Sequence, residues 1–424
     1  MALSAHLCWP SSWPVRKIRV HLPFPPRPRM DDTATMQPLG ITATSLVSAI
    51  GRDEQTTLQA LLTRQSGLRR CDMFGITEGW IGRVEGLEEY SLPSALARFD
   101  CRNHRLADMA LHSDGFSDHV ARARARYGAE RIAVVLGTST SGILTSEEAY
   151  RCRAPGEKLP DDLDVENTHD LFALARFVQA RLQLEGPAFV ISTACASAAK
   201  AFADAQQLIA SGLCDAAVVG GADTLCRMTL RGFAALELIS PDATQPGDAG
   251  RRGISIGEAA GFALLERDEA PAMLLGHGAS SDGHHMSAPH PEGRGATDAM
   301  RGALRSAGLS PDAIDFVALH GTGTRQNDAM EDRAITEIFG TQTPCGSSKG
   351  WMGHTLGTAG MVGVALAMLS LKHGFLPGNI NVSQIDPTFT ARLLTENLVA
   401  SPRRILINAF GFGGINCSLL VGQP

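Results

Sequence analysis

From about residue 38 the chain alternates between two textures. Short apolar runs recur at Arg131-Ile-Ala-Val-Val-Leu136, Ala188-Phe-Val-Ile191, Ala216-Ala-Val-Val219, Ala260-Gly-Phe-Ala-Leu-Leu265, Ala313-Ile-Asp-Phe-Val-Ala-Leu319 and Arg404-Ile-Leu-Ile-Asn408. Bounded by glycine or polar turns, such runs predict strands buried on both faces. Between them lie helix-period segments such as Asp53 to Arg64 and His169 to Leu184. Buried strands alternating with helices predict a layered α/β fold. The charged, then proline-containing stretch Arg267 to Met273 predicts a seam dividing residues 36–268 from 269–424. No tandem repeat of 20–50 residues is visible. Each half nevertheless closes on a glycine-rich strand pair, which points to a weak internal duplication.

Composition narrows the class. At 424 residues, 44% hydrophobic and 19% charged, the chain has ample material to bury, so disorder is not expected. Thirty-eight Lys and Arg against 44 Asp and Glu leave a net charge of −6, with no global attraction for nucleic acid. Nine scattered cysteines do not form a disulfide framework and fit a reducing, cytoplasmic setting. No run of 18 or more apolar residues predicts a membrane span. The first 30 residues stand apart, with six of the 22 prolines, five Lys or Arg and no acid. Leu22-Pro-Phe-Pro-Pro-Arg-Pro-Arg29 suits neither a helix interior nor a central strand. Residues 1–35 are expected to be a disordered leader or a mis-assigned start, with Met30 or Met36 as the true beginning.

The strongest chemical signal is Ile191-Ser-Thr-Ala-Cys195, a buried strand running into a helix built from Ala, Ser and other small residues. A cysteine there meets unpaired N–H groups and the positive end of the helix dipole, which predicts a lowered thiol pKa. Two histidines sit at similar junctions. His320 follows the run ending at Leu319 and precedes Gly321-Thr-Gly-Thr324; His354 precedes a helix of small residues, Met361 to Leu371. A thiol with two imidazoles suits thioester chemistry, in which the sulfur attacks a carbonyl and the rings stabilise the growing negative oxygen. No His-Glu-x-x-His or Cys-x-x-Cys spacing suggests a metal, and the adjacent His284 and His285 read as loop residues.

These segments resemble the elongating β-ketoacyl-acyl-carrier-protein synthases, the condensing enzymes of fatty-acid and polyketide synthesis on the thiolase fold. The likeness rests on the Ser-Thr-Ala-Cys195 elbow, His320-Gly-Thr-Gly-Thr-Arg-Gln-Asn-Asp-Ala-Met-Glu331, Lys349 with His354, and Asn408-Ala-Phe-Gly-Phe-Gly-Gly-Ile-Asn416. Arg98 to Arg105 and Ser281 to Met286 extend it over nearly the whole chain after residue 38. The resemblance implies a five-layered α-β-α-β-α fold of two pseudo-duplicated halves, and a dimer. It implies that Cys195 takes an acyl chain from a carrier protein, and that His320 and His354 promote malonyl decarboxylation. The backbone N–H groups of Cys195 and Phe412 would form the oxyanion hole, with Phe412 also a gate. Lys349 and Glu331 would be a support pair orienting His354. Thr322 and Thr324 would contact the pantetheine arm, which the carrier brings, so no separate cofactor is expected. Phe410, Asp282 and His285 would lie along the same substrate path.

Departures and rivals follow. Thr140, in Gly137-Thr-Ser-Thr-Ser-Gly142, occupies the position of an aliphatic acyl-pocket wall in the family, which suggests an aryl or polyene chain and a pigment pathway of that kind. The segment Met36 to Ile50 lacks the usual apolar run of a first strand. Carrier proteins are acidic, so a net-acidic enzyme needs a basic mouth. Arg102 and Arg105 match that mouth by resemblance; Arg69, Arg70, Arg122, Arg124 and Arg126 are alternatives. A housekeeping fatty-acid enzyme and a catalytic subunit paired with a chain-length-factor partner are both compatible. Gly253-Ile-Ser255-Ile-Gly257 fits a serine-hydrolase elbow, but a polar loop precedes it and the apolar strand follows, the reverse of what that elbow requires.

Overall fold

The computed structural model describes residues 35–154, 156–161 and 163–423. The expected leader lies outside the described residues except for Thr35. Eleven strands make one mixed sheet: β1 Leu39–Ser48, β2 Ile132–Gly137, β3 Ala188–Ile191, β4 Ala216–Asp223, β5 Ala259–Glu266, β6 Met273–Ser281, β7 Phe316–Ala318, β8 Pro344–Gly346, β9 Arg392–Leu393, β10 Arg404–Phe410 and β11 Ile415–Gly422. Their spatial order is β9-β8-β7-β10-β11-β6-β1-β5-β4-β2-β3. β1 and β6 touch only through Leu39 with Leu274 and Gly40 with Met273, so two leaves meet at that corner. Each leaf is parallel at its outer end and antiparallel toward the corner, in the pairs β4/β5 and β10/β11. That shared pattern is the internal duplication.

The helices that matter here are α1 Arg102–His112, α2 Phe116–Tyr127, α3 Ala173–Leu182, α4 Ser197–Ala210, α5 Arg294–Ala307, α6 Arg325–Phe339 and α7 Ala359–His373. Alternation along the strands assigns them to layers. In β2, Ile132, Val134 and Leu136 pack with α1, α2 and α3, while Ala133 and Val135 face α4. In β10, Leu406 and Phe410 pack toward α5 and α6, while Ile405 and Ile407 share a core with α4 and α7. Because both faces of each strand are covered, the strands read as unbroken apolar runs. The order of layers is α-β-α-β-α, with α4 and α7 in the middle.

Local chemistry sets the boundaries. The helix expected over 53–64 is Glu54–Leu62, capped by Asp53, whose carboxylate accepts from Thr56 N at 2.7 Å. The run 313–319 yields only Phe316–Ala318, since Pro311–Ala313 forms a 3-10 turn. β1 forms although its segment lacks a strong apolar run, because β5 pairs with it along most of its length. The 18 residues Leu356–His373 are long and apolar enough on average for a membrane span; 67% of them are buried within the protein, as befits a central helix.

The middle layer is tight. A Cβ on Gly360 of α7 would lie 2.5 Å from Ala199 N of α4, and one on Gly137 would lie 2.3 Å from Ala198 N. Only small residues permit this approach, which explains the Ala-rich sequence of α4. Gly360→Ala tests it. In an open helix the change would gain at most about 1 kcal/mol of helix propensity, whereas overpacking costs about 1–3 kcal/mol. Thermal unfolding of the variant should therefore show a Tm several degrees below wild type; an equal or higher Tm would contradict the packing argument.

Candidate active site

Beyond β3 the chain turns sharply before α4. Ala194 has φ +50°, a conformation uncommon outside glycine. Ser197 holds the turn: its hydroxyl donates to Ala194 O at 2.5 Å and accepts from Thr193 N at 3.0 Å. This presents Cys195, only 6% exposed, at the end of a cavity. His354 Nε2 lies 3.0 Å from Cys195 Sγ. The His320 and His354 rings meet edge-on with centroids 5.3 Å apart, and the sulfur and two ring nitrogens fall within 4.8 Å of one another. The three residues singled out from sequence thus converge.

The surroundings fix each ring. His354 N donates to Ser255 O at 2.7 Å and its carbonyl accepts from Gly257 N at 3.0 Å. Leu356 N donates to His354 Nδ1 at 3.2 Å, so Nδ1 is bare and the proton of the neutral ring sits on Nε2. That nitrogen therefore donates toward the sulfur and is unsuited to ligate a metal. His320 is held through its backbone: Glu331 accepts from His320 N at 2.8 Å and Gly321 N at 2.7 Å, Asn408 donates to the same carboxylate at 3.1 Å, and Lys349 Nζ donates to His320 O. Lys349 and Glu331 accordingly support His320, and the expectation that they orient His354 is corrected. The serine of the hydrolase-like motif also finds a place: Ser255 is fully buried, its hydroxyl accepts from Thr244 N, and its carbonyl accepts from His354 N just before the short strand Ile256–Gly257.

Burial dominates the electrostatics. It pushes the Cys195 thiol up to about 11, against the opposing pull of Lys349 and of the Phe412 and Cys195 N–H groups. The predicted lowering by a helix N-terminus is thereby overturned: desolvation of a nearly buried sulfur outweighs the local dipole. Burial likewise holds His320 and His354 well below the usual imidazole range, with Lys349 adding to the effect, so both rings are neutral near pH 7. Lys349 is lowered to about 8 and Glu331 raised to about 7, each chiefly by burial.

The cavity of about 430 Å³ is lined by Cys195, Phe410, Phe412, Thr322, Thr324 and the partly exposed Asp282. The Phe410 ring lies 5.8 Å from that of His320, and Phe412 packs on Phe233 at 5.7 Å. Thr322 and Thr324 share a hydroxyl contact of 2.9 Å, and Thr324 caps α6. Asp282 ties loops together, accepting from His290 N at 3.0 Å and Asn416 Nδ2 at 2.8 Å. His285 does not line the cavity; it is exposed, and its ring accepts from Ser287 N and Ala288 N within its own turn. Thr140 is also corrected: it is fully buried away from the cavity, donating to Asp223 at 2.8 Å and accepting from Thr224 N at 3.1 Å. The pocket-wall argument for an aryl or polyene chain loses its residue.

The basic mouth differs as well. Arg102 is turned inward, paired with the fully buried Glu258 at 2.7 Å and with Glu88 at 2.7 Å, so it is a core ion pair. Arg105 is bound to Asp100 at 2.5 Å. The arginines that do reach the mouth are Arg252, paired with Asp242, and the exposed Arg325, which has no ion pair among the described residues. Sequence reasoning missed them, although Arg325 stands next to Thr324 within a motif already singled out. Gly257 was a further signal: its Cβ would fall 2.1 Å from Met352 O, which marks a close approach to the His354 segment.

Known proteins match this arrangement. The family model described as beta-ketoacyl synthase, N-terminal domain, matches residues 94–270, and its C-terminal counterpart matches 271–383. The chain is 30% identical to the 3-oxoacyl-[acyl-carrier-protein] synthase 2 of Mycobacterium tuberculosis over 420 residues, covering 90% of this chain and 96% of that one. It is 37% identical to the mitochondrial 3-oxoacyl-[acyl-carrier-protein] synthase of Arabidopsis thaliana over 266 residues, 57% of this chain and 58% of that enzyme. Among solved structures, the ketosynthase ApeO in complex with its chain length factor ApeC, from Xenorhabdus doucetiae, superposes with a TM-score of 0.84 at 41% identity, over 92% of this chain and 98% of that one. A thiolase-fold chain whose sulfur and two imidazoles meet at the end of a cavity, and which the Mycobacterium and Xenorhabdus proteins match over at least 90% of its length, belongs to the β-ketoacyl synthase family of carbon–carbon-bond-forming acyltransferases.

Proposed function

We propose that the chain is the catalytic ketosynthase subunit of a carrier-protein-dependent elongation system. Cys195 takes the acyl group: its sulfur attacks the carrier thioester, an Sγ–acyl bond forms, and the pantetheine sulfur leaves with the thiol proton. Malonyl-carrier then loses carbon dioxide. The electron pair of the broken bond becomes an enolate, whose oxygen accepts hydrogen bonds from His320 and from His354 Nε2–H. The enolate carbon attacks the acyl-Cys195 carbonyl, and the N–H groups of Cys195 and Phe412 receive the negative oxygen. Collapse expels the Cys195 sulfur, which regains a proton, and releases a β-ketoacyl-carrier. Lys349, Glu331 and Asn408 hold His320; Thr322 and Thr324 meet the pantetheine arm, with Asp282 shaping the entrance. The observation that carries this reading is the convergence of one sulfur and two neutral rings on a single point.

In this reading the halves 36–268 and 269–424 divide the work, the first bringing the sulfur and the second the rings. The solved relative paired with a chain length factor supports a heterodimer, as does a set of exposed apolar side chains on the Cys195 half: Tyr150, Val165, Leu171, Phe172 and Met228. The eight described cysteines, all free, support a reducing cytoplasmic setting. The carrier protein would dock at the mouth through Arg325 and Arg252.

Three outcomes test the reading. Intact-mass analysis after incubation with acyl-carrier proteins should show one acyl adduct on the wild type and none on Cys195→Ala. With the thiol raised to about 11, it is protonated at pH 7; the rate of alkylation by iodoacetamide should rise about tenfold per pH unit between pH 7 and 9, and a flat profile would mean an already ionised sulfur. Arg325→Glu should raise KM for carrier-bound substrate about three- to tenfold at low salt and weaken its salt dependence.

A further inference from the structure

We propose that Asp223 is a positioning residue for the condensation: its buried carboxylate joins the loop that braces the Cys195 turn to the turn that clamps the His354 ring. The proposal rests on the reading of His354 as the Nε2–H donor to the enolate oxygen.

Asp223 ends β4 and is fully buried. Its two oxygens serve different segments. Oδ1 accepts from Ser139 N at 2.7 Å, Thr140 N at 2.8 Å, Thr140 Oγ1 at 2.8 Å and Thr138 Oγ1 at 3.1 Å. Oδ2 accepts from Thr358 N at 2.9 Å and Thr358 Oγ1 at 3.1 Å. A buried carboxylate is costly unless its lone pairs are filled, and here six bonds fill them. The first segment reaches the sulfur: Ser139 Oγ donates to Ala194 O at 3.3 Å, within the turn that presents Cys195. The second reaches the ring: Thr358 closes the turn in which Leu356, at φ +51°, aims its N–H at His354 Nδ1. The two segments are pressed together at Gly357, where a Cβ would lie 2.9 Å from both Asp223 Oδ2 and Ser139 Oγ.

One carboxylate therefore sets two things at once, the place of the sulfur and the tautomer of the ring. If the 356–358 turn relaxed, Nδ1 would lose its donor. The ring could then carry its proton on Nδ1 and present a bare nitrogen to the enolate oxygen, replacing an attraction with a repulsion. His320, held by Glu331 and Lys349, would be unaffected.

The test is Asp223→Asn, which keeps the shape but points an amide NH₂ at one of the two sets of donors. Condensation kcat should fall about 10–100-fold, as expected for misplaced reacting groups, with KM for malonyl-carrier within about twofold of wild type. In ¹⁵N-histidine-labelled protein, the His354 signal, identified by its loss in His354→Asn, should report a single Nε2–H tautomer in the wild type and a mixture in the variant. Thr358→Val should move both readouts the same way by less, and it decides the matter if Asp223→Asn does not fold. Wild-type kcat and an unmixed tautomer in the folded variants would overturn the proposal. If His354→Asn still decarboxylates malonyl-carrier at the wild-type rate, the reading of His354 itself fails; if it does not while Asp223→Asn is silent, only the positioning role is lost.

Discussion

The close contact between α4 and α7 governs the rest of the structure. Both helices lie between the two leaves of the sheet, and the turns carrying Cys195 and His354 stand just before their N-termini. With Gly360 of α7 against Ala199 of α4, and Gly137 at the end of β2 against Ala198, nothing larger than a methyl group separates these backbones. The gap between helices is thus set by backbone and methyl groups, and the 3.0 Å between sulfur and imidazole follows from it. A larger residue at any of these contacts would have to push the two turns apart. Interior packing is dense and transmits such shifts rather than absorbing them.

The same enclosure decides the charge states. Close packing leaves Cys195, His320 and His354 only slightly exposed at the cavity wall, and this loss of solvation favours neutral forms in all three. A neutral thiol and two neutral rings are poor at attracting charged molecules but well suited to meeting a carbonyl as it acquires charge. Their N–H groups act in a medium of low effective dielectric, where a fixed donor is worth more than in water. The charged groups stand one layer back. Lys349 and Glu331 grip the backbone at His320, and Asp223 grips the turns beside Cys195 and His354. Each fixes geometry without placing a full charge against the reacting carbon.

This division explains what could be read from sequence. Cys195, His320 and His354 were legible because each sits where an apolar run meets a small-residue turn, and that pattern is local. The layers were legible because runs with apolar residues on both faces require cover on both sides. Thr140, Arg102 and His285 were not, since a motif gives the position of a residue but not the direction of its side chain. Arg102 turns inward to Glu258, a residue 156 positions away that no spacing rule connects to it. The thiol pKa was misjudged for a related reason: the helix N-terminus is a local feature, whereas desolvation sums over everything packed around the sulfur. Ser255 shows the converse, a recognisable motif whose glycines serve close packing beside His354.

The mouth completes the argument. With Arg102 committed to the buried Glu258 and Arg105 paired with the exposed Asp100, few positive charges remain at the entrance, and Arg252 already shares its charge with Asp242. Exposed ion pairs are worth about 0–1 kcal/mol each, so arginines docking an acidic carrier as proposed would steer it without holding it. A reaction that admits two different carriers in turn, one leaving before the other enters, gains nothing from tight docking. On that proposal, weak attraction at the surface and strict positioning inside would answer two separate demands, exchange of partners and accuracy of chemistry, with separate sets of charges.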